Sequence, residues 1–198
     1  MTTQEEGKNC IIHKGREIRL IGISGKIGSG KTTLANYLCN RYPESLKKVS
    51  FAENLRRMVA ILINVDVEKT RSANDKASVI LGWDCTVGEL LQLFGTEVGR
   101  SIHPDAWVLS LFSTFVEGES FWVSDDVRFV NECQGIKERG GLLIRLNGDP
   151  GKVYAEAGKV RNLSHASETA LDEYADFDVV VNTEDFGNMD ALFDAIFK

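Results

Sequence analysis

Nowhere does the chain carry a run of about 18 apolar residues, so no membrane-spanning helix is expected. Cysteine is sparse, with Cys10, Cys39, Cys85 and Cys133 far apart and no Cys-x-x-Cys. That pattern argues against a disulfide framework or a cysteine-built zinc site. It fits a reducing, cytoplasmic setting. Positive charge is in deficit: 23 Lys and Arg stand against 29 Asp and Glu, a net charge of -6. Without an extended basic patch the chain is not expected to grip a nucleic acid polymer. A small anion needs only a local cluster of cations. There is no internal repeat and no low-complexity tract. The segment Met1 to Lys8 is polar and does not read as a secretory signal, so a frayed tail is expected there. The Asn-Lys-x-Asp guanine signature is missing; Asn182-Thr183-Glu184-Asp185 is only faintly like it.

What is present is an alternation of short apolar runs with helical patterns, over a length of 198 residues that suits one domain. It predicts an α/β fold with a mainly parallel sheet. Five core strands are expected: Ile18 to Ile23, Leu46 to Phe51, Phe121 to Ser124, Leu142 to Leu146 and Phe177 to Val181. An extra strand is expected near Cys10 to His13. Leu55, Met58, Val59 and Leu62 form one helical stripe. Thr86-Val87-Gly88-Glu89 matches a capping box, followed by an apolar face of Val87, Leu90, Leu91, Phe94 and Val98. A further helix starts near Pro104-Asp105. Val130, Cys133 and Ile136 mark another, stopped by Gly140-Gly141, and Met189, Leu192, Phe193, Ile196 and Phe197 mark the last. Two polar stretches, Val65 to Trp83 and Asn147 to Asp176, are long enough to read as lids or binding loops.

Between the first core strand and the helix that starts at Thr33 lies Gly25-Lys26-Ile27-Gly28-Ser29-Gly30-Lys31-Thr32. It fits G-x-x-x-x-G-K-[ST], the phosphate-binding P-loop. Its glycines let backbone curl around a phosphate without Cβ clashes. The curled N–H groups and the helix N-terminus then face the anion. In this pattern Lys31 reaches the β- and γ-phosphates and the Thr32 hydroxyl faces Mg²⁺. A plain glycine-rich turn with Lys31 in solvent is the competing reading.

Asp125 and Asp126 follow the Phe121 to Ser124 strand, where ligands of open α/β sheets bind. Either could hold Mg²⁺, and Arg128 could present its planar fork to a phosphate. Helix capping by the aspartates and a surface ion pair for Arg128 would account for the same residues. Gly95 and Gly99 interrupt a helical face at about 1 kcal/mol each against alanine, which points to close approach by a ligand or by neighbouring backbone. Gln92, Thr96 and Arg100 stand beside them. Trp107 suits stacking on a base or burial in a core.

Several blocks carry a likeness to a known family: the P-loop; Leu91 to Glu97 with Arg100 and Trp107; Asp126-Val127-Arg128-Phe129 with Asn131-Glu132; Ile136-Lys137-Glu138; His165 to Glu168; and Val181-Asn182. From about Ile21 onward the chain resembles the deoxynucleoside monophosphate kinases of phages and large DNA viruses. The resemblance implies a three-layer P-loop NTPase sandwich of the nucleoside monophosphate kinase type over 1–198. It would have an N-terminal extension at 1–17, an acceptor-binding helical region at 53–115 and a lid-like segment at 147–176. It implies ATP-dependent phosphorylation of deoxynucleoside 5′-monophosphates with Mg²⁺, by a soluble protein that forms a homodimer. ATP would lie on Gly25, Lys26, Ile27, Gly28, Ser29, Gly30, Lys31, Thr32 and Thr33, with Asn182 near the adenine. Lys31, Asp126 and Arg128 would be catalytic, and Thr32 with Asp126 would hold the metal. The acceptor would meet Lys26, Arg56, Arg128 and Glu132 at its phosphate, with Leu55 and Arg100 also in the substrate-binding site. Gln92, Gly95, Thr96 and Trp107 would meet its base and sugar. Lys152, Lys159 and Arg161 would be lid cations. A phosphomevalonate-kinase-like enzyme, a dephospho-coenzyme A kinase, a nucleotide-binding switch and a scaffold without turnover stay open as alternatives.

Overall fold

The computed structural model describes residues 11–148 and 169–197. The tail at 1–10, most of the lid-like segment with Lys152, Lys159 and Arg161, and His165 and Glu168 lie outside those residues. The chain forms two compact units, Met1–Val49 with Val116–Lys198, and Ser50–Phe115.

The first unit opens with an antiparallel hairpin, β1 (Ile11–His13) and β2 (Arg16–Ile18). Its turn residues Lys14 and Gly15 both have positive φ, as two-residue hairpin turns require. The extra strand expected near His13 is therefore half of a hairpin. The apolar run expected as one strand from Ile18 to Ile23 divides, because Ile18 pairs with Ile11 and the sheet strand β3 starts at Leu20 (Leu20–Ser24). Ile11 and Ile18 are fully buried and join the main core.

The other strands are β4 (Lys47–Val49), β5 (Trp122–Ser124), β6 (Leu142–Asn147) and β7 (Val179–Asn182), in the order β4-β5-β3-β6-β7 and all parallel. The expected Leu46 to Phe51 strand shortens to β4, and Phe51 already belongs to the second unit. The chain moves from β3 to one side of the sheet and later to the other. The carboxyl end of β3 is thus a switch point, where this architecture places ligands.

Helices cover both faces. Ile21 and Ile23 of β3 pack with Leu34, Ala35 and Leu38 of α1 (Lys31–Arg41) and with Leu192, Phe193 and Ile196 of the terminal helix, Met189–Phe197. Gly22 points the other way, where a Cβ would overlap Ile136 of the helix Val130–Glu138. Absence of a side chain at Gly22 is what lets that helix sit close to β3. The helix stops where expected: Gly140 has φ of 67° and the Gly141 N–H bonds to the Ile136 carbonyl at 3.0 Å. The unit is a three-layer α/β/α sandwich around a five-stranded parallel sheet.

The second unit is helical. Its elements are α2 (Glu53–Leu62), α3 (Ala73–Lys76), α4 (Val87–Gln92), a π-helical turn Leu93–Val98, α5 (Gly99–Ile102) and α6 (Ala106–Phe112). Leu55, Val59, Leu90 and Trp107 form its buried cluster. Two expectations need correction. The stripe on α2 runs through Leu55, Val59 and Ala60, while Met58 and Leu62 are about half exposed. The apolar face after the capping box does not reach Val98, which is exposed. The π turn adds one residue to the helical repeat, so the inward position passes to Gly99.

Candidate active site

The site is built outward from β3. Ser24 ends the strand fully buried, and Gly25 follows with φ of +150°. A Cβ on Gly25 would overlap the Leu146 carbonyl oxygen and the Ser29 Oγ. Gly28 and Gly30 also have positive φ, 81° and 88°. These three positions curl the backbone into a cradle that a side chain would strain or fill. Gly30 caps α1 without a side-chain acceptor, and the first helical turn carries no acid. The N–H groups of that turn are thus left to a ligand or to water. Thr32 and Thr33 are exposed on the same turn.

Two polar groups set the chemistry of the cradle. Lys31 is buried, and its ammonium donates to the carbonyls of Gly25 and Lys26, each at 2.7 Å. Its charge therefore lies against the loop, not in solvent, which removes the plain-turn reading. Ser29 Oγ is buried without a hydrogen-bond partner among the described residues. A buried hydroxyl left so costs on the order of 1–3 kcal/mol unless something pairs with it. A triphosphate tail fits this donor set.

The ends of β6 and β7 close on the same loop. Gly148 would, with a Cβ, stand 3.1 Å from Ser29 Cα and 2.9 Å from Thr183 Oγ1. Thr183 Oγ1 in turn donates to the Asn147 carbonyl at 3.1 Å. Asn182, exposed at the last position of β7, is thereby one residue from a side chain that borders the cradle. Gly148 and Thr183 did not stand out in the sequence. Only strand register brings them there.

At the end of β5 the two aspartates part company. Asp125 forms an ion pair with Lys48 at 2.8 Å. Asp126 Oδ1 accepts the Ser124 hydroxyl at 2.7 Å, which orients its carboxylate. Neither caps the following helix. That role falls to Glu132, whose Oε2 accepts the backbone N–H of Arg128 at 2.7 Å and of Phe129 at 3.1 Å. Glu132, expected beside the acceptor phosphate, is thus buried and holds the backbone that carries the half-buried Arg128. Thr32 and Asp126 offer a hydroxyl and a carboxylate, hard oxygen ligands that suit Mg²⁺ when phosphates and water complete the shell. Behind them Cys133 is buried, and burial together with the Glu132 charge pushes its thiol up to about 12. That thiol is therefore an inert, neutral core group.

On β6, Arg145 Nη1 donates to Ser24 Oγ at 3.2 Å, and Nη2 lies 3.6 Å from Asp172 Oδ1. The Lys26 ammonium pairs with the same Asp172 oxygen. Arg145 was missed because it sits inside the apolar run Leu142 to Leu146, where the alternation of a strand hides it.

The remaining candidates belong to the helical unit. Arg56 Nη1 donates to Ser50 Oγ at 2.8 Å, and Arg100 Nη1 donates to the Pro104 carbonyl at 3.2 Å. Gln92 is exposed and Thr96 half-buried on the π turn. Leu55 and Trp107 are buried together in the core cluster. A Cβ on Gly95 would stand 2.7 Å from Leu55, and one on Gly99 would stand 2.5 Å from the Trp107 ring. The Trp107 indole N–H donates to the Gly95 carbonyl at 2.7 Å. Packing alone accounts for both glycines and for the tryptophan. The structure thus brings Lys26, Lys31, Thr32, Asp126, Arg128 and Glu132 into one unit. Leu55, Arg56, Gln92, Gly95, Thr96, Arg100 and Trp107 stand in the other.

No helix among the described residues is long and apolar enough to cross a membrane. No protein-family profile matches the chain. It is 29% identical over 177 residues to a protein of Acanthamoeba polyphaga mimivirus that carries the provisional name deoxynucleotide monophosphate kinase; the match covers 82% of this chain and 86% of the viral one. Solved structures similar to it include shikimate kinase from Aquifex aeolicus, with a TM-score of 0.46, 14% identity, and coverage of 88% of this chain and 91% of that one. Shikimate kinase from Acinetobacter baumannii, solved with shikimate, has a TM-score of 0.45 at 13% identity and covers 89% of each chain. The chain is a P-loop α/β protein that resembles the deoxynucleoside monophosphate kinases of large DNA viruses over most of its length.

Proposed function

We propose that this protein is a phosphotransferase that moves the γ-phosphoryl group of ATP to a deoxynucleoside 5′-monophosphate. The observation that carries the reading is the cradle from Gly25 to Thr33, with its left-handed glycines, its buried Lys31 and its unpartnered Ser29 hydroxyl. The choice of acceptor is supported by the name of the viral relative and by the Gln92 to Trp107 block.

Transfer of a phosphoryl group asks for positioning and charge neutralisation more than covalent help. Gly25 to Thr33 bind the triphosphate through backbone N–H groups, and Lys31 turns from its own loop carbonyls to the phosphates. Asn182 borders the adenine. Thr32 and Asp126 would hold Mg²⁺, which would supply further neutralisation when bound. Lys26 and Arg128 orient the acceptor phosphate and balance its charge. Glu132 acts through Arg128 by fixing the backbone that presents it. Gln92 and Thr96 contact the base and sugar, while Trp107 holds the π turn that carries Thr96. No general base is required, because a phosphate monoester is already largely ionised near pH 7.

A coupled ADP-release assay with ATP, Mg²⁺ and each of the four common deoxynucleoside monophosphates tests the reading. Turnover with at least one of them is the expected result. Turnover only with a phosphorylated alcohol such as phosphomevalonate would reassign the acceptor. Slow GTP hydrolysis that ignores every monophosphate would make the protein a switch.

A further inference from the structure

The five-stranded sheet ends in two unlike edges. On one side β4 carries Lys47 and Lys48, both exposed. Lysine on an edge strand is a usual guard against pairing with another chain. On the other side β7 reads Val179-Val180-Val181-Asn182, with no charge and no proline. Val179 and Val181 pack against the main core, and Val180, on the opposite face, is 56% exposed. The inner side of β7 pairs with β6, from Ile144 opposite Val179 to Asn147 opposite Asn182. Among the described residues no strand pairs with its outer side. The strand is tied down at both ends. Asp178 Oδ2 accepts the Leu143 N–H at 2.8 Å, and the Asp178 N–H donates to the Leu143 carbonyl at 3.0 Å. Past the other end, Thr183 Oγ1 donates to the Asn147 carbonyl at 3.1 Å. Charge around this edge is of one sign. No Lys or Arg occurs from Asp172 to Asp190. Asp176 and Asp178 precede the strand and Glu184 and Asp185 follow it, all of them exposed. Lys137 pairs with the first two, at 2.7 and 3.5 Å.

We propose that the outer side of β7 is a docking strand for an extended segment of another protein. That segment has apolar or β-branched residues at its centre and Lys or Arg at both ends. The surface does not depend on the phosphotransferase reading. An added strand takes its affinity from main-chain hydrogen bonds and its specificity from alternate side chains. Here Val180 offers the apolar contact, and the acids beyond the two ends of the strand select the charge of the partner. Because both ends of β7 are already tied down, docking orders only the incoming segment, which lowers the entropic cost. A second copy of this chain fits less well. Antiparallel pairing of β7 with its own copy sets Asp178 of one chain near Glu184 and Asp185 of the other, and like charges oppose. Pairing of β7 with the β4 edge of a copy meets a Lys48 already paired with Asp125 at 2.8 Å. It would also leave open edges that extend into a fibre.

The test uses the full chain and a synthetic probe, acetyl-Lys-Lys-Val-Thr-Val-Thr-Lys-Lys-amide, followed by fluorescence anisotropy and by amide NMR. Saturable binding is expected, with the amide signals of Val179 to Asn182 moving most. A probe with Glu in place of every Lys should bind about tenfold more weakly, and added salt should weaken the Lys probe. Val180→Asp adds a negative charge at the edge but removes the apolar contact and a good strand residue. It should weaken the Lys probe about fivefold, whereas plain charge attraction would tighten it. If Val180→Asp loses its cooperative urea transition, Asp185→Asn decides in its place. It should weaken the Lys probe about threefold, and an unchanged affinity there overturns the proposal. No binding of the Lys probe, equal binding of both probes, or a Lys probe held as well or better by Val180→Asp overturns it too. So does self-association of the chain, seen by sedimentation, that Val180→Asp abolishes, because a second copy would then occupy the edge.

Discussion

The two units use glycine in opposite ways. In the sheet unit, Gly25, Gly28 and Gly30 adopt backbone angles that other residues rarely reach, and the shape they make is a concave loop. In the helical unit, Gly95 and Gly99 have ordinary helical neighbours, and what they provide is room for Leu55 and Trp107. Polar atoms at the cradle and in the Trp107 cluster also differ. Ser29 Oγ and Arg145 keep hydrogen-bonding capacity in reserve, whereas the Trp107 indole is satisfied internally by Gly95. Reserve capacity in a buried place is costly and points to a ligand; satisfied capacity points to a scaffold. The cradle thus holds the reserve that a bound anion would use. The Leu55–Trp107 cluster is shaped by its own packing.

The sharpest way to break this contrast is to remove charge from the first unit. Lys31→Ala should reduce turnover by about 10²–10³ through lost electrostatic stabilisation. Arg128→Ala should cost a factor of about 10³ if it meets the transferring charge. Arg128→Ala should change stability in urea denaturation by no more than about 0.5 kcal/mol, since its side chain is half-buried at the surface. Near-normal turnover in Arg128→Ala would remove that residue from the site.

A pair of glycine substitutions sharpens the comparison. Gly25→Ala places a Cβ against the Leu146 carbonyl at φ of +150°, a strain of about 1–3 kcal/mol, and it should also abolish measurable ADP binding. Gly99→Ala meets the Trp107 ring at 2.5 Å and the Phe94 carbonyl at 2.9 Å. Overpacking should lower stability by about 1–3 kcal/mol, measured by denaturation, yet leave ADP binding intact. If Gly99→Ala loses ADP binding as Gly25→Ala does, the division of roles between the units fails.

How much of this was legible beforehand follows the range of the signals. The cradle was readable because a P-loop is local: eight consecutive residues fix strand end, turn and helix start. The capping box at Thr86 and the stop at Gly140 were readable for the same reason. The five strands were found, but Ile18 was assigned to the wrong one, because its hairpin partner Ile11 is identified by pairing and not by apolarity. The π turn escaped notice since a hydrophobic pattern assumes a constant period, and one added residue passed the inward position from Val98 to Gly99. The role of Glu132 as a backbone cap, and the meeting of Arg145 with Lys26 at Asp172, depend on contacts between residues distant in sequence. No single-sequence pattern encodes those.

Smaller effects test the scaffold alone. Trp107→Phe keeps the ring in the core but removes the bond to the Gly95 carbonyl, and should cost about 1 kcal/mol. If the π turn carries Thr96 to the acceptor, KM for the monophosphate should rise in this variant while ADP affinity stays constant.

The mildest prediction concerns the capping box of α4. Thr86 Oγ1 accepts the Glu89 backbone N–H at 3.2 Å, and Glu89 Oε2 accepts the Thr86 N–H at 2.7 Å and its hydroxyl at 2.9 Å. Those donors, the backbone N–H first, hold the Glu89 carboxyl below the ordinary carboxylate range. A carboxylate with a lowered value in the folded protein stabilises it above the unfolded value, and that contribution fades as pH falls through the folded one. Thr86→Ala removes the hydroxyl on both sides of the box and should cost about 1 kcal/mol near neutral pH. It leaves the backbone bond in place, so the acid-dependent loss of stability should shrink without vanishing. Urea midpoints of the two proteins, compared from about pH 6 down to about pH 3, should therefore converge as the medium becomes acid. A gap that stays constant over that range would mean that Glu89 gains nothing from the Thr86 hydroxyl, and that the cap acts through the backbone alone.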